Sequence, residues 1–459
     1  MSQAERSGAA MHVANQQMPN HEVPDREVPS HEVPSHEVHC DVVVVGAGPG
    51  GSATAAHLAR RGLDVVLLEK ATFPRDKICG DGLTPRAVRA LVKLGVDISE
   101  ANGFHRNEGL RIYGGELSQT SGKDLFMAWP ELTDFPNFGL TCSRMDLDEK
   151  LARHAASLGV TLVEGASVNG PVMDESGDRI IGVTTRDGRR WMAPVVVAAD
   201  GVSSRLGVAM GVQKLDDRPM GVAVRAYYRS PRGEDPFMES WLELWDGEPH
   251  KSDVLPGYGW IFPMGNDVVN VGLGMLSTSE AFQGTDYKDL MRRWLAATPP
   301  EWGLNEDNQI GPIRGAALPM GFDRKPAYAR GLLLVGDAGG MVNPFNGEGI
   351  DYALEAAELA ADAIAEAHAR GIGTPGAERA LQGYQSHLAR SFGGYFRLGH
   401  IFARLIGNPR VMHLCIKYGL PRKRLMRLVH KLLANLTDQR GGDLDDHIIN
   451  TLTRLAPSA

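Results

Sequence analysis

The sequence predicts an α/β fold joined to an antiparallel β-sheet and to a helical C-terminal segment. Four consecutive valines at residues 42–45 precede a glycine-rich turn, a pattern typical of a buried parallel strand that leads into a helix. Residues 215–315 mix Tyr, Trp, Val and Gly with turns, which favours antiparallel strands. Residues 351–370 are rich in Ala and have a helical pattern, and the remaining chain is helical with breaks near Pro409 and Pro421.

Length and composition limit the classes of function that the protein can have. The chain has 459 residues, enough for two or three packed domains, and its net charge of -8 argues against nucleic-acid binding by the whole molecule. Its four Cys form no C-x-x-C pair, so we expect neither a disulfide framework nor a metal site, as in a reducing cytosol. No apolar run reaches the roughly 18 residues that cross a bilayer, and no signal peptide is readable. We therefore expect a cytoplasmic protein.

Residues 1–38 contain a near-repeat of His/Arg-Glu-Val-Pro that recurs every five residues from His21. The prolines block helix and sheet alike, and the apolar groups are too few to form a core. We expect a disordered tail, with a His-rich metal tract as the alternative. Met11 and Met18 leave open whether the segment belongs to the native protein.

The glycine-rich turn after the first strand has the form G-x-G-x-x-G, and a strand-helix-strand pattern surrounds it. Gly46 permits the tight turn, Gly48 lets the backbone approach a pyrophosphate, and Gly51 lets helix and strand pack closely. The amides that open the helix face the phosphates, and the acid that ends the second strand accepts from ribose hydroxyls. The segment predicts a Rossmann-type dinucleotide site with contacts from Gly46, Gly48, Pro49, Gly51 and Glu69.

Two later segments resemble motifs of flavoproteins related to p-hydroxybenzoate hydroxylase. Residues 199–204, Ala-Asp-Gly-Val-Ser-Ser, resemble the Asp-Gly box, and residues 336–350, from Gly-Asp-Ala to Gly-Glu-Gly-Ile, resemble the second FAD fingerprint. The resemblance implies FAD as the cofactor, with Asp200 beside it and Asp337 at its ribityl chain. It further implies that a loop runs beside the isoalloxazine ring with contacts from Pro344, Gly347, Gly349 and Ile350.

The residues of the second segment support this interpretation. A second strand-Gly-Asp-helix junction offers acceptors and backbone donors to the middle of an extended cofactor. A simple helix cap is the alternative role for Asp337. The sequence departs from the Asp-Gly box at Gly207, where the box usually has an Arg. Arg205 stands two residues earlier, and we leave it out of the predicted site.

Two further segments resemble the geranylgeranyl reductase family. Residues 77–86, Lys-Ile-Cys-Gly-Asp-Gly-Leu-Thr-Pro-Arg, are similar to bacterial members that reduce the isoprenoid side chain of menaquinone. Residues 258–263, Tyr-Gly-Trp-Ile-Phe-Pro, and the Gly-Leu-Gly at 272–274 match the family pattern Y-x-W-x-F-P-x(7–8)-G-x-G. Arg144 resembles the family's Arg that touches FAD. Lys77, in the first of these two segments, is also expected to contact the cofactor. The resemblance spans about residues 41–370.

The family resemblance implies an FAD-dependent reductase that saturates one or more C=C bonds of a polyprenyl chain, most simply that of menaquinone. Tyr258 and Trp260 alternate on a predicted strand and so point the same way. We expect them to line an apolar substrate tunnel, with core packing as the alternative. Cys79 is the third candidate catalytic residue: its thiol is either a redox-active group with a lowered pKa beside Lys77 or a small buried hydrophobe.

Two other functions share the predicted fold, because fold alone does not determine function. The first is a flavin-dependent monooxygenase of an aromatic substrate, against which the Y-x-W-x-F-P segment argues. The second is a non-catalytic flavoprotein that binds prenyl lipid. With one strong dinucleotide motif, the electron donor can be NAD(P)H, ferredoxin or a reduced quinone. The general acid, the reduced bond and the oligomeric state are not readable from the sequence.

The C-terminal part of this acidic chain is basic. Residues 379–437 contain eleven Lys or Arg and no Asp or Glu. Residues 396–436 interleave those cations with Ile, Leu, Phe, Val and Met, which suits contact with an anionic membrane surface. A solvated helical face is the alternative. We expect a cytoplasmic protein whose basic segment either binds the cytoplasmic face of the membrane or forms a helical face that is solvated or pairs with the acidic body.

The predicted domains are discontinuous. They are a tail (1–38), an FAD-binding domain (39–105 with 140–214 and 315–372), a substrate domain (106–139 with 215–314) and a helical C-terminal segment (373–459).

Overall fold

The computed structural model describes residues 37–114, 124–249, 251–278 and 280–456. In these residues the strands are β1 (Glu37–His39), β2 (Val42–Val45), β3 (Val65–Leu68), β4 (Gly82–Leu83), β5 (His105–Asn107), β6 (Gly109–Tyr113), β7 (Leu125–Ala128), β8 (Gly139–Thr141), β9 (Thr161–Val163), β10 (Val168–Met173), β11 (Ile180–Thr185), β12 (Arg190–Met192), β13 (Val195–Ala198), β14 (Gln213–Lys214), β15 (Met220–Arg229), β16 (Phe237–Trp241), β17 (Leu244–Trp245), β18 (Val254–Leu255), β19 (Gly257–Pro263), β20 (Val268–Leu276), β21 (Gln309–Pro319), β22 (Arg324–Lys325), β23 (Tyr328–Ala329) and β24 (Leu332–Leu334).

The helices of the described residues are α1 (Pro49–Ala59), α2 (Pro85–Leu94), α3 (Arg144–Ser157), α4 (Arg205–Ala209), α5 (Tyr287–Ala296), α6 (Ile350–Ala369), α7 (Pro375–Leu388), α8 (Gly394–Ile406), α9 (Pro409–Leu414), α10 (Lys423–Leu433) and α11 (Leu444–Leu455). Two π-helical turns, Ala389–Gly393 and Cys415–Gly419, follow α7 and α9. Among the described residues, no helix combines the length and the apolar character that a membrane span requires.

The nucleotide-binding layer is a six-stranded sheet in the order β23-β24-β13-β2-β3-β9. Its strands are parallel except for the edge pair β23–β24. The valines of β2 are buried and alternate between two cores: Val42 and Val44 pack against α1, α3 and α6, whereas Val43 and Val45 pack against the small sheet β1-β12-β11-β10. The predicted parallel α/β layer is therefore confirmed.

The second large sheet has seven strands in the order β21-β15-β20-β19-β16-β6-β7. Its neighbours are antiparallel, as predicted for the middle of the chain, except that β16 pairs in parallel with β6. The exception arises because β6 enters the sheet from a distant part of the chain. A local hairpin pattern could not indicate that pairing.

The C-terminal part is helical, as predicted. Pro409 begins α9 and Pro421 lies just before α10, so both prolines stand at the helix breaks that were expected from their missing amide donor.

The predicted tail lies outside the described residues up to residue 36. Glu37 and Val38, which the prediction included in the tail, instead lie in β1, which pairs in parallel with β12. The correction has a physical cause: the last copy of the repeat has no proline at the position after Val38, so its backbone can join a sheet.

Candidate functional site

The glycine turn between β2 and α1 is built for close backbone contact. Gly46 has a φ of +99°, and a Cβ there would lie 2.4 Å from the carbonyl oxygen of Ala199. A Cβ on Gly51 would lie 1.8 Å from the carbonyl oxygen of Gly46. Helix α1 has no side-chain cap at Gly48 and no acidic residue in its first turn. Its first amides are therefore left to donate to an anion, as a pyrophosphate needs.

Glu69 lies at the end of β3 beside this turn, as predicted. Its Oε2 accepts hydrogen bonds from the backbone amide of Ala47 (3.0 Å) and from Arg75 (3.2 Å), and its Oε1 accepts from the amide of Ala71. Glu69 is buried, and it lines a large cavity. Glu69 thus binds the backbone of the glycine turn and lines the cavity beside it.

The structure brings Lys77 and Asp337 together although 260 residues separate them. The Lys77 Nζ lies 2.7 Å from the Asp337 Oδ2. Burial opposes ionisation of Asp337, but the charge and hydrogen bond of Lys77, with the charges of Arg144 and Arg324, hold its pKa below the usual value. The group therefore faces the cavity as a carboxylate, an acceptor for hydroxyls.

Arg144 and Asp200 also line this cavity. Arg144 forms a two-pronged ion pair with Asp148, with both N–O distances 2.7 Å. Asp200 accepts through Oδ2 from the amide of Leu206, whereas its buried Oδ1 has no partner among the described residues. Such an unpartnered oxygen is expected where a bound molecule completes the hydrogen bonding. The free Oδ1 of Asp200 and the position of Arg144 in the cavity therefore fit a bound FAD.

The cavity has a volume of about 1490 Å³ and continues from the glycine turn to the seven-stranded sheet. This exceeds the roughly 300–1,000 Å³ of a site for one drug-sized ligand. Of the predicted site residues, it is lined by Gly46, Gly48, Pro49, Glu69, Lys77, Cys79, Arg144, Asp200, Tyr258, Trp260, Asp337, Gly347, Gly349 and Ile350. Gly51 and Pro344 lie behind this surface, where Gly51 contacts the glycine turn and Pro344 contacts α8 at Gly399.

Three aromatic side chains of β19 form one wall of the cavity. The ring centroids of Tyr258 and Trp260 lie 6.0 Å apart, and those of Trp260 and Phe262 lie 6.2 Å apart. The Trp260 indole donates to Asn270 (3.0 Å), and the Tyr258 hydroxyl donates to the carbonyl of Asn346. Tyr258 and Trp260 thus share the cavity face of their strand, as alternation predicted.

Cys79 lines the cavity, but the direction of its pKa shift contradicts one of the two roles considered for it, a redox-active thiol with a lowered pKa. Burial raises the pKa of the thiol, and the charge of Asp81 adds to this, whereas the charges of Arg144 and Lys77 oppose it without reversing it. The prediction of a lowered pKa considered the charge of Lys77, but the sequence does not show how strongly burial desolvates the thiol. The structure therefore gives a neutral thiol in place of a thiolate.

Asp81 is a buried site residue that the sequence analysis did not single out. It has a φ of +63°, and its carboxylate accepts hydrogen bonds from the Tyr227 hydroxyl, from Asn270 (2.9 Å) and from the Arg144 amide (3.2 Å). Burial raises its pKa to about 6, although the bonds from Tyr227 and Asn270 lower it. The signal in the sequence that could have identified Asp81 is its position between two glycines.

Glu348 is the second missed residue. It is the one carboxylic acid in the loop 344–349 that the FAD resemblance singled out, and this was the signal that could have identified it. Burial, followed by the charge of Asp351, raises its pKa well above the usual value. Its Oε2 is buried without a hydrogen-bond partner among the described residues, and the side chain lines the cavity.

The C-terminal helices form the far end of the cavity. The sequence did not predict that these helices belong to the site. Met412, Ile416, Met426 and His430 are buried there and line it. Leu414, Tyr418 and Leu425 also line it, but their exposed fractions are 54%, 51% and 41%. The cavity therefore ends at a rim of exposed apolar side chains.

Comparisons with known proteins agree with this geometry. Residues 39–386 match the family described as FAD binding domain. The chain is 37% identical over 398 residues to a menaquinone reductase of Mycobacterium tuberculosis, covering 86% of this chain and 91% of the relative. A menaquinone reductase of Mycolicibacterium smegmatis is 38% identical over 403 residues, covering 88% and 93%. A digeranylgeranylglycerophospholipid reductase of Methanopyrus kandleri is 31% identical over 339 residues, covering 71% and 80%.

Solved structures support the fold. A geranylgeranyl bacteriochlorophyll reductase-like protein from Thermoplasma acidophilum superposes with a TM-score of 0.68 at 22% identity, covering 92% of this chain and 97% of that one. A flavin-dependent brominase superposes with a TM-score of 0.65 at 21% identity, covering 91% and 98%. At these identities the likeness concerns the fold alone, and it confirms the predicted fold. The match to the FAD binding domain family confirms FAD as the cofactor.

Proposed function

Because this chain belongs to the FAD binding domain family, and within it to the reductases that include the mycobacterial menaquinone reductases, we propose that it is an FAD-dependent reductase of the polyprenyl chain of menaquinone. Menaquinone and a digeranylgeranyl phospholipid, the substrates in the names of its relatives, differ in their head groups. The isoprenoid chain with its isolated C=C bonds is what they share. The similarity of this chain to both relatives therefore favours the isoprenoid chain as the reacting group.

One observation carries the proposal: the cavity that contains the FAD motifs continues past Tyr258, Trp260 and Phe262 to the apolar C-terminal helices. Its volume of about 1490 Å³ leaves room for a second ligand beside a cofactor. A prenyl chain is long and apolar and gains free energy when such a surface is removed from water, by about 0.8 kcal/mol for each buried CH₂ group. A small phenolic substrate of a monooxygenase would leave most of this space unused.

The proposed FAD contacts follow the order of the motifs. The amides of the glycine turn would hold the pyrophosphate, Glu69 the ribose, and Asp200 and Asp337 the middle of the cofactor. Lys77 holds the carboxylate of Asp337 in place, and Arg144 lies beside the same group. The loop 344–349, with Pro344, Gly347, Gly349 and Ile350, would border the isoalloxazine.

When bound and reduced, FAD supplies a hydride for the C=C bond. The residues of the chain do the rest. Tyr258, Trp260 and Phe262 would align the prenyl chain, exclude water, and stabilise transient positive charge with their aromatic faces. The Asn270 side-chain amide donates to Asp81 and to the Cys79 carbonyl, and it accepts from Trp260. It would therefore fix the position of the aromatic wall relative to the residues near the cofactor.

We also infer that the rim of the cavity contacts an anionic lipid surface. Exposed apolar side chains at the rim lie in the same segment as the exposed cations Arg404, Arg410, Lys417, Arg422, Lys423 and Arg424. Each cation near such a surface contributes about 1 kcal/mol. Arg427 and Lys431 belong to the same sequence run, but they pair with Asp443, Asp445 and Asp446 and so add little.

The test is direct reduction of a prenyl lipid. Purified protein with FAD is reduced chemically without oxygen, incubated with menaquinone or with a digeranylgeranyl phospholipid, and the lipids are analysed by mass spectrometry. We expect menaquinone to gain two hydrogens per reduced bond, in the prenyl fragment and not in the naphthoquinone ring. The control contains oxidised FAD and no reductant. Unchanged lipid masses, or oxygen consumption with phenolic substrates, would contradict the proposal and favour a lipid-binding flavoprotein or a monooxygenase.

A further inference from the structure

Reduction of an isolated C=C bond needs a proton as well as a hydride. The hydride and its electron pair go to one carbon, and the other carbon must form its new C–H bond with a proton, so that C=C, reduced flavin (FADH⁻) and H⁺ become CH–CH and oxidised FAD. The Trp260 and Phe262 side chains of the cavity wall supply no acid. The proton donor must therefore be another group that lines the cavity.

Glu348 has the right position for this role. Its backbone is fixed, because its carbonyl accepts from the Asn343 amide (2.7 Å) and its amide donates to the Asn346 Oδ1 (3.0 Å). Its neighbour in the loop, Asn346, accepts through its carbonyl from Tyr258. The side chain lines the same cavity as the aromatic wall.

The carboxyl group also has a free oxygen. The Oε2 of Glu348 is buried and has no hydrogen-bond partner in the part of the chain that the structure describes. The other acid near the aromatic wall, Asp81, is already engaged through both oxygens, by the Arg144 amide on Oδ1 and by Tyr227 and Asn270 on Oδ2. Asp351 also lines the cavity and its two oxygens accept no hydrogen bond from the described residues, but its Oδ2 lies 4.0 Å from the Nε of Arg86 in an ion pair. Of these three acids, Glu348 has a free oxygen and no ion pair among the described residues.

The charged and titratable groups around Glu348 keep it protonated and allow it to ionise. Burial raises its pKa and the charge of Asp351 raises it further, whereas Asn346 and the charge of Arg86 act in the opposite direction. Tyr258 and Tyr395 lie near enough to feel its charge, and burial raises the pKa of both hydroxyls. Burial and Asp351 thus favour the protonated carboxylic acid, and Arg86 is the cation whose charge favours the carboxylate left after donation.

We propose that Glu348 is the proton donor of the reduction, a role that rests on the proposed function. Its O–H bond breaks as the proton forms a C–H bond with one alkene carbon, while the hydride from reduced FAD forms the C–H bond at the other carbon. The carboxylate then takes a proton from water before the next turnover. Net charge and electrons balance with FADH⁻ as the reductant.

The experiment compares Glu348→Gln with Glu358→Gln, which removes a carboxyl group on α6 that pairs with exposed Lys93. Infrared spectra of the FAD-loaded proteins at neutral pH are searched for the C=O band of a protonated carboxylic acid. Single-turnover reduction of menaquinone by the pre-reduced proteins and FAD affinity are measured in parallel. We expect the band to vanish and the rate to fall by about 100-fold in Glu348→Gln, with FAD affinity retained, and Glu358→Gln to match the wild type.

Glu348→Asp provides a second variant that keeps the acid. We expect it to retain the infrared band and to recover part of the rate, which a purely structural role for the longer side chain would not explain. A wild-type spectrum without a band that depends on Glu348, or equal rates in the wild type and Glu348→Gln, would overturn the inference while leaving the proposed function in place. Failure of the wild type to reduce any prenyl chain would overturn the proposed function and this role with it.

Discussion

The Tyr258 hydroxyl donates a hydrogen bond of 2.6 Å to the backbone carbonyl oxygen of Asn346. The bond joins β19 of the seven-stranded sheet to the loop 344–349, so a residue of the aromatic wall directly positions the loop that carries Glu348. The distance between the proposed substrate wall and the proposed flavin loop is therefore set by this contact as well as by the packing of the two sheets.

Tyr258→Phe removes this bond and leaves the aromatic ring. We expect a loss of about 1 kcal/mol in the free energy of unfolding, since one hydrogen bond of this kind contributes that much. We also expect slower prenyl reduction, because the loop is less well held. Chemical denaturation and single-turnover rates measure the two effects.

The matched control is Tyr287→Phe, because the Tyr287 hydroxyl donates a comparable bond to the Phe282 carbonyl (2.8 Å) away from the cavity. It should lose similar stability and keep its rate. Equal rate losses in the two variants would mean that the Tyr258 bond has no specific part in the site.

Gly51→Ala tests the nucleotide turn. The added Cβ would lie 1.8 Å from the Gly46 carbonyl oxygen, so the turn must open and its amides must leave the positions that would bind the pyrophosphate. We expect the purified variant to lose its yellow flavin and to take up added FAD with affinity at least about tenfold weaker, which corresponds to about 1.4 kcal/mol. Flavin fluorescence titration measures this.

Gly383→Ala is the control, because Gly383 is also helical and a Cβ there would meet nothing within 4 Å. It should bind FAD like the wild type and gain slightly in stability, since Ala favours a helix by up to about 1 kcal/mol over Gly. Normal FAD binding by Gly51→Ala would contradict the assignment of the turn.

The sequence predicted the local geometry of those parts of the candidate site that are close together in the chain. Gly46, Gly48 and Glu69 belong to one β-α-β unit, and the strand-turn-helix geometry follows from a few adjacent residues. The contacts that complete the site are long-range: Lys77 meets Asp337, and Asn270 binds Asp81. No periodicity encodes such a meeting, because it depends on how two sheets pack.

The C-terminal helices illustrate the same limit. Their basic and apolar composition predicted a surface role, and the exposed rim residues agree with it. Met426 and His430 of α10, however, are buried against the cavity, and composition alone could not separate the face that closes the cavity from the face that meets solvent. Desolvation, which reverses the expected shift in the pKa of Cys79, is equally invisible in a sequence.

His430 gives a prediction about pH. Its ring lies 5.0 Å from the Trp129 ring, and burial lowers its pKa from 6.5 to about 4. The unfolded chain takes up a proton between these values and the folded protein does not, so folding free energy is lost as pH falls from 6.5 towards 4. This pKa difference corresponds to about 3 kcal/mol.

The measurement is the difference in unfolding free energy between the wild type and His430→Phe, determined by denaturation across that pH range. We expect the wild type to lose stability relative to the variant as pH falls, and the two curves to run parallel above pH 7. Parallel curves throughout would mean that His430 is accessible to protons in the folded state.

Charge reversal of Arg422, Lys423 and Arg424 to Glu tests the proposed lipid contact. All three are exposed, next to the cavity-lining Leu425. With each cation contributing about 1 kcal/mol at an anionic surface, we expect the wild type to sediment with vesicles that contain anionic phospholipid and the triple variant to remain in the supernatant. Neutral phosphatidylcholine vesicles should bind neither protein.

The matched control reverses Lys288, Arg292 and Arg293, three exposed cations of α5 that do not line the cavity. This variant has the same net charge as the first and should still sediment. If both triple variants lose binding equally, net charge alone governs association. If neither does, the rim is not the contact. Selective loss in the first variant would show that the rim is the lipid contact. Because these cations lie next to cavity-lining residues, such a contact would place the opening of the cavity against the bilayer that holds the prenyl chain.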